Sequence, residues 1–129
     1  MQYLLLLYDP QQEVSAEELG RLIAEHKEFT RRIVDSGKYL ASNALQPTTT
    51  ATTVRVRDTR TITIDGPFAE TREQLGGYYL VEADNLDEAI ALAAKIPDAR
   101  SGAVEIRPIN VAIRSEFVAE GLIPEEDKR

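Results

Sequence analysis

The sequence predicts an α+β fold: a split β-α-β pattern with an inserted β-hairpin, its antiparallel sheet covered by two helices on one face. Three observations predict it. Apolar residues recur at helical spacing in two segments, 15–36 and 85–97. A β-prone run stands before and after each of them. Between the two units, Val54-Arg55-Val56-Arg57 and Thr61-Ile62-Thr63-Ile64 alternate on either side of the tight connection Asp58-Thr59-Arg60, the pattern of an antiparallel hairpin.

Gln2 to Tyr8 is apolar on both faces and reads as a central strand, ended by the turn Asp9-Pro10-Gln11-Gln12. Ser15 and Glu18 form a capping box at the start of a long amphipathic helix that runs to about Ser36, where Gly37 is placed to stop it. Its apolar positions are Leu19, Leu22, Ile23, Phe29, Ile33 and Val34. Tyr39 to Leu45 reads as a second strand ended by Gln46-Pro47, and the polar run Thr48 to Thr53 leads into the hairpin. Another strand spans Tyr78 to Ala83. Asn85 caps the second helix, whose stripe is Leu86, Ala89, Ile90, Ala93 and Ala94, and Pro97 closes it. The small alanines imply close helix-to-sheet packing. A last strand covers Gly102 to Ile109, with Pro108 suited to its end or to a sheet edge.

This order is the ferredoxin-like arrangement with a hairpin added. Two helices cover only one face of such a sheet, so the Leu and Tyr side chains of the other face call for a second copy of the chain, packed sheet to sheet. The domain is expected over residues 1–110, with 111–129 as a C-terminal extension ending in a charged, frayed tail.

Composition narrows the function. A chain of 129 residues suits one domain able to hold a core without staples. The absence of cysteine removes disulfides, thiolate metal sites and Cys nucleophiles, and fits a reducing compartment. The N-terminal apolar run lacks a basic flank and is too short for a signal peptide or a membrane span, so a soluble cytoplasmic protein is expected. A net charge of −7, no tryptophan and only small basic clusters (Arg31-Arg32, Arg55 and Arg57) argue against direct nucleic-acid binding. No metal-ligand spacing, phosphate loop or nucleophile elbow occurs, and no cofactor is expected.

The connection from Asp65 to Gly77 is much longer than the roughly two to five residues a plain turn uses, and it is rich in charge. Asp65-Gly66-Pro67-Phe68-Ala69-Glu70-Thr71, followed by Gln74-Leu75-Gly76-Gly77-Tyr78-Tyr79, resembles the signature of the DGPF-domain proteins. These belong to the YciI-like (YCII-related) branch of the dimeric α+β barrel superfamily. Ala44-Leu45-Gln46-Pro47, Ala51-Thr52-Thr53-Val54-Arg55, Leu86-Asp87-Glu88-Ala89 and Gly102-Ala103-Val104-Glu105-Ile106-Arg107-Pro108 match as well, so the resemblance spans roughly residues 2 to 110. It implies a ferredoxin-like fold, a homodimer, and a catalytic histidine–aspartate pair in a family whose activity is mostly undefined. The histidine matches His26. Asp65 is the candidate aspartate, with Glu73 the alternative carboxylate. The resemblance also implies a link to sigma-factor-dependent transcription.

His26, the single histidine, falls in the apolar stripe of the first helix. It is either a core histidine held by a carbonyl or hydroxyl, or a partly buried imidazole at a pocket edge, oriented by a carboxylate as a general base. Asp65 before Gly66-Pro67 is good turn chemistry, and the catalytic role can coexist with it. Glu70, Arg72 and Glu73 read as a short solvated helix capped by Thr71, or Arg72 holds an anionic substrate group. Gly76-Gly77 allows close approach to a ligand or permits a bulge. Tyr78 or Tyr79 lines the pocket or the dimer interface, and Arg107 is an edge charge or a ligand clamp. Three functions remain: a cofactor-independent lyase- or isomerase-like enzyme acting on a small polar substrate, a ligand-binding or regulatory module without turnover, and a structural dimer in which His26 is core.

Overall fold

The computed structural model describes residues 1–125; the last residues of the expected charged tail, 126–129, lie outside the described residues. The chain runs β1 (Gln2–Pro10), α1 (Ala16–Asp35), β2 (Tyr39–Ala44), a 3-10 turn (Thr48–Thr50), β3 (Thr52–Arg57), β4 (Arg60–Asp65), β5 (Glu73–Glu82), α2 (Leu86–Ala93), α3 (Asp98–Ser101), β6 (Ala103–Pro108) and α4 (Val111–Ala119). The main sheet has the order β2-β5-β1-β6, with every neighbouring pair antiparallel. Without β3 and β4 this is the ferredoxin-like order, and β1 is central as its two apolar faces require. The β3–β4 hairpin forms a separate two-stranded ribbon.

Local signals act where the sequence puts them. Ser15 Oγ accepts from Glu18 N at 3.0 Å, and Asn85 Oδ1 accepts from Glu88 N at 3.0 Å. Gly37 ends α1 in the left-handed region at φ 76°. Asp58 and Thr59 both have positive φ (50° and 63°), the two-residue I′ turn that matches strand twist. Pro108 ends the edge strand β6.

Tyr3, Leu5 and Leu7 of β1 and Tyr79, Val81 and Ala83 at β5 form one buried layer with Phe29 and Ile33 of α1, Ala89, Leu92 and Ala93 of α2, and Ile96. Ala89 and Ala93 supply the close approach expected of α2. The stripes differ in detail. Leu19 and Ile23 of α1 are exposed because only the second half of that helix lies on the sheet, Val34 at its end is exposed beside buried Ile33, and Leu86 and Ile90 of α2 are exposed while Leu92 turns inward. Residues of the opposite sheet face (Leu4, Leu6, Tyr8, Tyr78 and Leu80) are half-buried.

Several elements differ from expectation: β1 runs on through Asp9 and Pro10, where a turn was expected, and the short α3 forms beyond Pro97. β5 begins at Glu73, where Glu73 and Gln74 pair with Pro10 and Asp9. The short helix expected around Glu70–Glu73 therefore does not form. The register slips between Leu7↔Gly77 and Tyr8↔Leu75, leaving Gly76 as the extra residue of a β-bulge. A Cβ on Gly77 would come 2.9 Å from the Asn43 carbonyl oxygen, so Gly77 serves strand packing. A further difference is α4, a helix formed within the expected C-terminal extension, with none of its residues buried.

Candidate active site

Phe29 and Ile33 fasten α1 to the sheet, and His26, on the same stripe, is carried toward β5. Its ring stacks on Tyr79 with centroids 6.1 Å apart and planes 7° from parallel, while Phe29 meets Tyr79 edge-on at 5.1 Å. His26 Nδ1 lies 3.0 Å from the Tyr79 hydroxyl. On its other side Nε2 lies 2.8 Å from Oδ1 of Asp98. This second approach is an ion-pair contact; that buried oxygen has no hydrogen-bond partner.

Asp98 arrives through topology. β6 starts at Ala103 opposite Tyr8, so the 98–102 connection must pass the end of β1. Gly102 makes the passage close enough: a Cβ there would lie 1.9 Å from the Tyr8 carbonyl oxygen, a position no side chain can take. The same passage sets Ser101 Oγ to donate to Asp9 Oδ1 at 2.5 Å.

A cavity of about 510 Å³ opens between α1 and the β2–β5 edge. His26, Tyr79 and Asp98 share its wall with Thr30; Leu7 and Ile23 give it apolar surface, and Lys27 and Arg31 add positive charge. The His26 side chain is 30% exposed and that of Asp98 12%, so the imidazole is open to a ligand while its carboxylate is largely shielded.

Proton bookkeeping links the groups. Thr30 Oγ1 donates to the His26 carbonyl at 2.7 Å and lies 3.1 Å from the Tyr79 hydroxyl. With a neutral imidazole, Nε2–H faces Asp98 and Tyr79 donates to Nδ1. With a cationic one, Nδ1–H donates to Tyr79, and Tyr79 turns its own proton to Thr30. The hydroxyl thus tracks the charge of the ring.

Three groups of the site titrate away from their ordinary ranges. Burial pushes the Asp98 carboxyl up, but its close contacts with His26 and Asp9 and the charge of His26 together outweigh it and hold it low. Asp9 goes the other way, to about 6, chiefly through burial and then its hydrogen bond to Asp98; the bond from Ser101 opposes this. Burial raises Tyr79, keeping the phenol protonated.

Of the residues expected from the sequence, His26, Gly76, Gly77 and Tyr78 line the cavity, and Tyr78 accepts from Asn43 Nδ2 at 2.8 Å. Asp65, Glu73, Arg72 and Arg107 do not. Asp65 ends β4 in the ribbon opposite Thr52, and Glu73 pairs with Pro10 in the sheet. Arg72 is exposed, and Arg107 is paired with Glu105 at 2.6 Å on the edge strand. The carboxylate beside the imidazole is Asp98. Pro97-Asp98 looks like ordinary turn chemistry; its signal is topological, because antiparallel β1 and β6 bring residue 9 and the 98–102 connection to one end of the sheet. Among the described residues no group of three or more His, Cys, Asp or Glu side chains is gathered to hold a metal ion. No described helix is long and apolar enough to cross a membrane.

An uncharacterized protein of Rhizobium meliloti (strain 1021) is 40% identical over 114 residues, which cover 84% of this chain and 92% of the relative. A solved structure, the 5-chloro-2-hydroxyhydroquinone dehydrochlorinase of Burkholderia phenoliruptrix AC1100 in complex with 2,5-dihydroxybenzoquinone, is 14% identical. It aligns with a TM-score of 0.49 over 85% of this chain and 94% of its own. The family model of the YCII-related domain matches residues 1–113, and the chain belongs to that family.

Proposed function

We propose that this protein is a cofactor-independent enzyme that moves a proton on a small, partly apolar organic anion, with His26 and Asp98 as its acid–base pair and Tyr79 as the relay. One observation carries this reading: a single imidazole is held between a shielded carboxylate and a phenol hydroxyl on the wall of a cavity. Both ring nitrogens are engaged, so the substrate proton passes through Tyr79. The hydroxyl oxygen accepts the substrate proton as its own proton moves to Nδ1, and Asp98 balances the imidazolium that results. Return of the proton to a different substrate atom completes an isomerisation; departure of a leaving group completes an elimination. Lys27 and Arg31 at the cavity wall suit an anionic substrate group.

Binding without turnover is the second reading, favoured by the engagement of both His26 nitrogens within the chain. Deuterium uptake from D2O by a panel of small enolisable carboxylates, followed by proton NMR, separates the two. Wild type is expected to exchange at least one member, and His26→Gln to lose roughly 100-fold or more of that rate. Binding with no exchange throughout the panel favours the second reading. Exchange unaffected in His26→Gln removes His26 from the chemistry. The same reading includes a homodimer formed through the open sheet face.

A further inference from the structure

We propose that Asp9 is a positioning residue of the site: it shares a proton with Asp98, and loss of that proton changes the charge presented to His26. The inference rests on the use of His26 and Asp98 proposed above. Its basis is geometric. β1 ends at Asp9–Pro10, and α3 is pressed onto that end by the close passage of Gly102 over Tyr8 and Asp9. From α3, Ser101 donates to one Asp9 oxygen, and the Asp98 side chain stands beside the Asp9 carboxyl. Asp98 in turn faces Nε2 of His26. The array therefore runs Ser101–Asp9–Asp98–His26–Tyr79–Thr30, from the end of β1 to the cavity.

Facing Asp9, α3 contributes Asp98 and Ser101, and α1 contributes His26. From β5 the neighbour in register is uncharged Gln74. Two carboxylates this close do not both ionise freely. While Asp9 is protonated its O–H donates to Asp98, fixing that carboxylate as a single negative charge beside the imidazole. When Asp9 ionises, Ser101 remains its donor, the donor to Asp98 is gone, and two negative charges face His26. The array thus has two electrostatic states, exchanged by one proton that never reaches the substrate.

The single histidine makes the test direct. Ring-nitrogen and ring-proton NMR resonances of His26 are followed from pH 4.5 to about 8.5 in wild type, Asp9→Asn and Ser101→Ala, alongside the side-chain carboxyl carbon of Asp9. In wild type the His26 resonances are expected to register a step coincident with ionisation of Asp9, near 6. Asp9→Asn, which keeps a donor toward Asp98 and cannot ionise, should abolish that step. Ser101→Ala should move it to higher pH, because the Ser101 bond favours ionised Asp9. His26 curves that superimpose in wild type and Asp9→Asn overturn the proposal. If Asp9→Asn does not fold, a step unmoved in Ser101→Ala overturns it equally. No substrate is needed, so failure here leaves the proton-transfer reading standing, and failure of deuterium exchange leaves this inference standing.

Discussion

At the scale of single residues, environment sets the roles of three acidic or basic side chains. Asp9 and Asp98 lie in one array yet titrate in opposite directions, because Asp98 alone faces His26 closely and stands between it and Asp9. The consequences for stability have opposite signs. Asp9 holds its proton more tightly in the folded chain, so what its neutral form contributes is complete below about 3.8 and lost as pH rises through about 6. Asp98 contributes as an anion; its share is present above the ordinary carboxylate range and lost as pH falls through its lowered native value. In urea unfolding, Asp9→Asn should therefore match wild type near pH 3.5 and exceed it by about 1–2 kcal/mol at pH 8, the full shift being discounted for solvent screening. No gain at pH 8 would contradict the raised ionisation of Asp9. His26 was legible in the sequence because it is the lone histidine on an apolar stripe. Asp98 and Asp9 were not, because each stands next to a proline where a turn explains it equally well.

At the scale of elements, glycines decide how closely strands and connections approach. Gly102 and Gly77 each face a backbone oxygen at a distance that excludes a Cβ, whereas a Cβ on Gly76 meets nothing within 4 Å. Gly102→Ala is expected to cost about 2–3 kcal/mol and to pull α3 away from Asp9, while Gly76→Ala stays within about 1 kcal/mol of wild type. Equal costs in chemical denaturation would contradict this division. Caps, the Gly37 stop and the hairpin turn were readable from sequence because each depends on a few adjacent residues. The early start of β5 was not: Glu73 and Gln74 are polar, and they extend as strand only because the end of β1 is there to pair with them. The ribbon has a similar lesson. Val54 and Val56 alternate cleanly with arginines, yet they are 60% and 59% exposed, while Arg55 is half-buried with its guanidinium 5.0 Å from the Phe68 ring centroid.

At the scale of the whole molecule, the fold was legible as an order of elements: two β-α-β units, a hairpin between them, and helices on one face. The site was legible in half. The histidine helix and the Gly-Gly-Tyr strand were visible, but the carboxylate comes from a connection that only the closed sheet brings near. The sheet's two faces carry the remaining expectation. One is buried beneath α1 and α2, and the other leaves Leu4, Leu6, Tyr78 and Leu80 half-buried. Multi-angle light scattering should give twice the 14.4 kDa mass of the chain, and Leu6→Glu with Leu80→Glu should give the single mass with secondary structure retained. A monomeric wild type would contradict the proposed sheet-to-sheet pairing.

The proposed pairing of His26 with Asp98 is tested most directly by the deuterium-uptake rate compared across Asp98→Asn, Asp65→Asn and Glu73→Gln. Asp98→Asn is expected to lose about 10- to 100-fold, by removing the charge that balances the imidazolium. The other two should remain at the wild-type rate, since neither side chain lines the cavity. Full activity in Asp98→Asn, with a large loss in Asp65→Asn or Glu73→Gln, would contradict the assignment.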